Sequence, residues 1–483
     1  ISACLVGSEM CIRDRYNNDL NSLGPSLGLA WDPTGSGKNS IRVNYRLAYD
    51  RINTFLLSSS LFQSIPGITL GVVNSDFGQA GGRLRNLPKV APASGLKPAD
   101  FLQPASVSLN TMTVMDCAFR SPKTNMWGFS YQRQVWRNTV FEVAYIGRRG
   151  VGLYGAYDVN QALYRDNGFL DAFRIVKAGG ESDLMNRLFA SDLNLNNVAG
   201  LAKSFQNRIQ GGRSLPELAG LGSFFFVPFP QFTTFRVVDS NDFSTYNALE
   251  LKFQRRFAGG LGVLLAYTFA KSLDTRSFDP AFTVVSTGNA QSAGSTPFDI
   301  YNRKLNYARS DFDRTRVWQA SWVYELPFGR GKRFANSAGG VLDRVIGGWE
   351  VTGFMIWEAG RPFTVYSGSN TFTNLAQSVA NCSGCSRNDG VVFDDAGTGL
   401  KWYFDKSLRD KSSTPGPGEF GNTTRNFFTG PGYFDIDLGI LKNIRIREKH
   451  YLQYRAEFTN FTNTPSFGAP TATITSSIFG RIR

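Results

Sequence analysis

Residue types that run acid–base, nucleophilic or metal chemistry are sparse in this 483-residue chain. There is one histidine, His450, beside Arg447, Glu448 and Lys449 at a short turn. A Ser–His–Asp or Cys–His relay would have to pass through it, and a paired-histidine zinc helix cannot be built. His450 therefore reads as a solvated turn residue. Cys382-Ser383-Gly384-Cys385 offers half a zinc site or a redox pair. Two further ligands and a strand-to-helix setting are missing, so a local disulfide on an exposed loop is the favoured reading. Gly37-Lys38 superficially suggests a phosphate loop, but Asp32 stands where the upstream glycine belongs and Asn39 replaces Ser/Thr, so a hairpin turn explains the segment. Paired acids occur at Asp311/Asp313, Asp394/Asp395 and Asp435/Asp437. Asp394/Asp395 lacks the spacing of a calcium loop. Asp435 and Asp437 share one strand face and could meet a cation or a basic group, with salt bridges to Arg455 or Lys442 as the favoured reading. No catalytic residue, metal site or cofactor is expected, and the chain does not read as an enzyme.

The charged residues gain meaning from the elements that carry them. Five times, two runs of alternating apolar and polar residues flank a brief turn. They are 27–32 with 40–49, 125–134 with 139–146, 246–257 with 261–271, 316–328 with 349–359, and 433–444 with 451–461. Side chains on a strand alternate faces. Leu249, Leu251, Phe253 and Phe257 thus share one side, and Glu250, Lys252, Gln254 and Arg256 the other. The same parity puts Arg42, Arg46, Glu142, Glu325, Asp435, Asp437, Arg455 and Glu457 on polar faces. Burying Glu250, Lys252 or Glu325 unpaired in a dry sandwich core would cost several kcal/mol each. The apolar faces could not stand in water on so many strands. Hydrocarbon outside and a wet bore inside satisfy both, so ten of these charged residues, all but Arg256, are candidate lumen-facing contacts for a solute. Trp31, Tyr49, Trp136, Tyr267, Trp322, Trp349 and Trp357 read as an interface girdle. Loop aromatics such as Trp402 and Tyr403 could stack on carbohydrate.

Most of these strands reach the nine to eleven or so residues that a tilted membrane strand needs. Short turns alternate with long Gly/Asn/Ser-rich connections, the asymmetry of periplasmic turns and outer loops. Within the connections, 170–193 could be helical, 224–229 is a greasy island, and 341–345 could form one helical turn. Composition agrees, with 42% apolar, 14% aromatic and 19% charged residues, 50 glycines and 40 phenylalanines. The net charge of +14 is scattered singly, without the basic run or helix that nucleic-acid binding would need. No apolar run reaches the length of a membrane-crossing helix. There is no initiator methionine or leader pattern, and residues 1–15 look like translated adapter sequence, leaving 16–483 as the expected barrel domain.

Several segments carry a resemblance. Asn247-Ala248-Leu249, Arg255-Arg256-Phe257 and Ala266-Tyr267-Thr268-Phe269-Ala270-Lys271-Ser272-Leu273-Asp274 form a hairpin that resembles one in TonB-dependent outer-membrane receptors of the Oar-like type. Leu326-Pro327-Phe328-Gly329-Arg330-Gly331-Lys332, Gly347-Gly348-Trp349 and Gly360-Arg361-Pro362-Phe363 are similar to another of that group's stretches. So are Arg455-Ala456-Glu457-Phe458, Asn460-Phe461, Asn463 and Phe467-Gly468. The resemblance covers nearly everything after residue 20. It implies an all-β chain in the cell outer membrane of a Gram-negative bacterium, a partial antiparallel transmembrane β-barrel. About ten or eleven strands of roughly 22 would be present, with the plug, the energy-coupling box and the last strand outside the chain. The implied role is import of a large or scarce solute (siderophore, oligosaccharide or peptide). Implied partners are outer-membrane lipid and an inner-membrane TonB energy-transducing complex engaged through the N-terminal region, with no nucleic acid. A passive porin, an outer-membrane hydrolase and a soluble β-rich adhesion or binding protein are the alternatives.

Overall fold

The computed structural model describes residues 22–50, 111–116, 118–161, 167–192, 227–229, 234–277, 298–368, 378–394, 399–404, 406–416, 419–447 and 450–482. Ten long strands form one antiparallel wall. They are β1 (Ser26–Trp31), β2 (Asn39–Tyr49), β3 (Lys123–Trp136), β4 (Thr139–Asp158), β5 (Thr234–Ala258), β6 (Leu261–Asp274), β7 (Arg316–Glu325), β8 (Trp349–Glu358), β9 (Tyr433–Arg447) and β10 (His450–Phe458). Within this series each strand pairs with its neighbours, so the path runs in chain order from β1 to β10. All five expected hairpins are present. β7 ends at Glu325 rather than Phe328, because Pro327 has no amide to give the ladder and the chain turns there.

Directly opposed residues in antiparallel strands share a face, so the pairings can be followed across the wall. One row reads Trp31, Ile41, Tyr131, Val143, Leu251, Tyr267, Trp318, Trp357, Phe434. Its neighbour reads Leu29, Val43, Phe129, Tyr145, Leu249, Phe269. These rows are apolar over their whole run, and Trp31, Val43, Phe129, Leu249 and Trp318 are exposed. Their exposure on so many adjacent strands needs a hydrocarbon neighbour. The opposite face carries Ser40, Gln132, Glu142, Lys252, Ala266 and Gln319 in one row.

Two glycines make room for aromatic rings on the apolar face. Gly147 faces Trp127 and Gly353 faces Trp322. In each case a Cβ would collide with the indole, which lies across the bare backbone. One expectation fails on this face. The register slips between Arg255 and Ala258. Phe257 is thereby set against Gly262, on the polar side, and does not continue the Leu249–Leu251–Phe253 stripe.

Beyond the wall, the described parts of the long connections carry further elements. β4 and β5 continue past the alternating region, pairing Gly155 with Asp239 and Asp158 with Arg236. Thr111–Met115 joins this extension in parallel alongside β5. Helices α1 (Phe169–Lys177) and α2 (Asp183–Asp192) occupy the region expected to be helical. Phe229, from the greasy island, packs with Phe235 and Val159; Phe224, Phe225 and Phe226 lie outside the described residues, as do Cys4, Cys11, Cys117 and residues 1–15. The connection between β8 and β9 and the segment after β10 share a core of Phe363, Phe404, Phe428, Phe479 and Ile482. On the short-turn side, α3 (Gly340–Ile346) fills the longest turn, where one helical turn is expected.

Candidate functional site: the polar face and the loops above it

The ten candidate residues are placed by the strand pairings. All ten take the wall's polar face by register. Glu142 opposes Lys252, and Arg42 shares a row with Glu250 through Ser130 and Ala144. Arg46 opposes Met126, two positions along the face. Asp435 and Asp437 oppose Ile356 and Phe354, and Arg455 and Glu457 oppose Leu441 and Gly439. Glu325 opposes Glu350 at the short-turn rim and binds Lys332 at 2.5 Å.

The expected pairing of the strand acids is not what forms. Tyr433 Oη donates to Asp435 Oδ2 at 3.2 Å, and the Asn460 amide donates to Asp437 Oδ1 at 2.9 Å. Arg455 turns to Glu457 at 3.3 Å on its own strand. Lys442 lies on the other face, in the row Trp349–Lys442–Tyr454, and cannot reach Asp435 or Asp437. Asp435 Oδ1 is buried with no partner among the described residues.

A recess of about 260 Å³ opens on the polar face of β5–β7, lined by Tyr246, Thr268, Ser272, Phe312, Asp313 and Gln319 among others. Ala266 and Ala270 line it from β6, and the returning 312–314 segment lines it too. Glu250 opposes Thr268, and Lys252 opposes Ala266, so two candidate charges stand at its edge. The carboxylate of Asp313 accepts the Ser272 amide at 2.7 Å. Burial pushes its pKa up more than that bond lowers it.

Above the recess, arginines sew the connections together. Arg425 pairs with Asp274, both almost wholly buried, and its second nitrogen lies 3.5 Å from Asp311. Burial pushes the Asp311 carboxyl up, against the pull of Arg425. Arg309 donates to the carbonyls of Asn426, Phe427 and Phe428 and to Thr429 Oγ1 at 2.6–3.1 Å. Arg303 reaches buried Asp239 at 2.6 Å, and Arg276 reaches Asp242 at 2.9 Å. A guanidinium suits this work, since its fixed fork can satisfy several acceptors at once. Of these residues, Asp311 and Asp313 stood out in the sequence as an acid pair; the arginines sit in aperiodic loops and carry no pattern.

The remaining motifs resolve simply. Asp32 accepts the amides of Thr34 and Gly37, which hold its carboxyl below the usual range, and Gly35 and Gly37 take positive φ, as a hairpin turn requires. Cys382 and Cys385 are bonded, with Cα atoms 5.8 Å apart. His450 opens β10 and is exposed. Asp394 binds Lys401 at 2.6 Å, while Asp395 lies outside the described residues. Trp402 and Tyr403 are not free to stack on carbohydrate: both are buried, Trp402 under Arg409 and Tyr403 donating to the Thr429 carbonyl.

Residues 4–483 match the family described as "Outer membrane beta barrel domain". No curated protein matches the chain. Among solved structures, the outer membrane transporter YddB from Escherichia coli is similar at 7% identity and a TM-score of 0.39, covering 94% of this chain and 38% of that one. The pyoverdine outer membrane receptor FpvA from Pseudomonas aeruginosa is similar at 10% identity and a TM-score of 0.36, over 95% and 34%. The FrpB iron transporter from Neisseria meningitidis gives 10% and 0.34, over 95% and 38%. The chain therefore spans less than two fifths of the length of these structures.

Proposed function

Because the chain belongs to the outer membrane β-barrel domain family, with its apolar rows in the outer membrane, we propose that it is the barrel portion of a TonB-dependent importer for a large or scarce solute. A siderophore, an oligosaccharide or a peptide fits that description. The observation that carries this reading is the pairing of a charged strand face with connections that arginines tie to one another and to the strand ends. A general diffusion pore has no need of a roof built by Arg309, Arg425 and Arg303. A receptor does, since captured solute must meet fixed contacts before the bore opens.

In this reading Arg42, Arg46, Glu142, Glu250, Lys252, Asp435, Asp437, Arg455 and Glu457 line the path, and Glu325 with Lys332 braces the short-turn rim. The recess under Phe312 is the first contact below the roof. Asp435, with an unpartnered buried oxygen, receives a basic group of the solute. Energy arrives from an inner-membrane TonB complex acting through the N-terminal region. The test is uptake by cells carrying the full-length gene, with and without an agent that collapses the proton-motive force. Accumulation against a gradient that stops on collapse supports the importer. Uptake that persists, and only equilibrates, makes the protein a passive porin and removes the proposal.

A further inference from the structure

The short-turn side of the wall carries a helix whose apolar stripe is left exposed among the described residues. No residue of α3 (Gly340–Ile346) is buried. Val341, Leu342 and Val345 are exposed at 74%, 56% and 60%. At 100° per residue these three fall within one stripe, and Asp343 points the opposite way, where it accepts the Arg330 amide at 2.6 Å. Seven residues are far too few to cross a bilayer.

Two side chains fix where this helix sits. Trp349 and Lys442 oppose each other across β8 and β9, in the row that follows Val351–Ile440 on the apolar face. Trp349 Nε1 donates to the Val345 carbonyl at 2.9 Å. Lys442 Nζ donates to the same carbonyl at 3.0 Å and to that of Gly347. Its ammonium also lies 4.9 Å from the centre of the Trp349 ring. A lysine on a lipid-facing row is costly unless its charge is met. Here it is met by the open carbonyls at a helix C-terminus, the end that favours cations. The helix is thus tied by its last turn to the lipid-facing side of the barrel, at its rim. Arg344 on the helix, and Arg330 and Arg333 in the turn that precedes it, are all exposed.

We propose that α3 is an interfacial anchor. It lies in the plane of the periplasmic leaflet, Val341, Leu342 and Val345 entering the acyl boundary and the arginines meeting lipid phosphates. The lipid surface is the occupant because the stripe continues a face already in hydrocarbon, and because an apolar stripe with exposed arginines on the same short turn is what such a surface binds. The idea is independent of what the barrel transports.

Photo-crosslinking in lipid nanodiscs tests it on the full chain. A benzophenone amino acid replaces Leu342 in one variant. Phe129, on the lipid-facing wall, and Ser36, at the tip of the first turn, are reference positions. Lipid adducts at 342 are expected at a yield close to that at 129 and several-fold above that at 36, rising as anionic lipid is added. A yield at 342 no higher than at 36, while 129 still captures lipid, overturns the proposal. Lys442→Met supplies the second measurement. With the hold on Val345 and Gly347 lost, the lipid adduct at 342 should fall several-fold while that at 129 is unchanged. An unchanged yield at 342 overturns the assigned role of Lys442 in seating the helix.

Discussion

Single residues decide how firmly the roof holds. The Arg425–Asp274 pair is almost wholly enclosed, so removing one partner strands a charge in a dry place. Arg425→Ala should cost the roof about 3–5 kcal/mol, whereas an exposed pair such as Arg455–Glu457 should cost no more than about 1 kcal/mol. Limited proteolysis between 274 and 311 would read the difference, and equal protection in the two variants would sink the argument. Tyr403 offers a second test. Burial pushes its hydroxyl up to about 12, from an ordinary 10.0. The folded roof therefore holds a proton that an opened one releases, so stability falls as pH rises through that interval. Two units correspond to about 3 kcal/mol of local stability, present below pH 10 and lost toward 12. Tyr403→Phe should remove one late step from the tyrosinate absorbance titration and flatten the alkaline weakening. If the late step survives the substitution, Tyr403 is not its source.

At the scale of strands, the pattern and its exceptions have separate causes. The ten candidate charges could be picked out of the sequence because a strand alternates faces at every residue, and membrane and water ask for opposite side chains. The same alternation fails where another force intervenes. Phe257 changes side because the ladder slips one residue before the turn. Lys442 can stand on the apolar side because the Val345 and Gly347 carbonyls meet its charge. The roof was hidden altogether: Phe363, Phe404, Phe428 and Phe479 meet from distant, unevenly spaced positions, and no local period records that. The visible part makes a sharp prediction. Leu251→Arg, in the lipid-facing row, should lower barrel stability by about 2–4 kcal/mol if it lies near mid-bilayer, while its neighbour Glu250→Gln, facing water, should change it little. Gly353→Val adds a second, because the new side chain must push the Trp322 ring from its bed, at a cost of about 1–3 kcal/mol. Both are read by the temperature at which the barrel loses its compact mobility in detergent gels. A Leu251→Arg barrel as heat-resistant as the parent would mean that row is not in lipid.

Taken whole, the molecule joins two materials with different rules. The wall is a continuous ladder whose strands hold one another along their length, so opening any strand breaks many hydrogen bonds together. The roof hangs from it by a few arginines, each spanning separate stretches of chain. Arg309 alone binds acceptors on four successive residues, 426 to 429, while its own backbone flank pairs with the end of β6. That makes Arg309 the point at which the β6–β7 and β8–β9 connections are fastened to each other and to the barrel. A roof so fastened should respond as one body, not as separate flaps. Arg309→Ala leaves the wall's ladder intact but frees four acceptors. Amide exchange should accelerate together in 309–313, 363–367 and 425–429, because Asn426 also binds Thr364 and Asp311. Exchange in β5, β6 and β9 within the apolar rows should stay at the parental rate. If only 426–429 loosens, the two connections are independent, and solute captured by one cannot be felt by the other. If the strands loosen too, the roof is part of the barrel's own stability and not a separate lid above the bore.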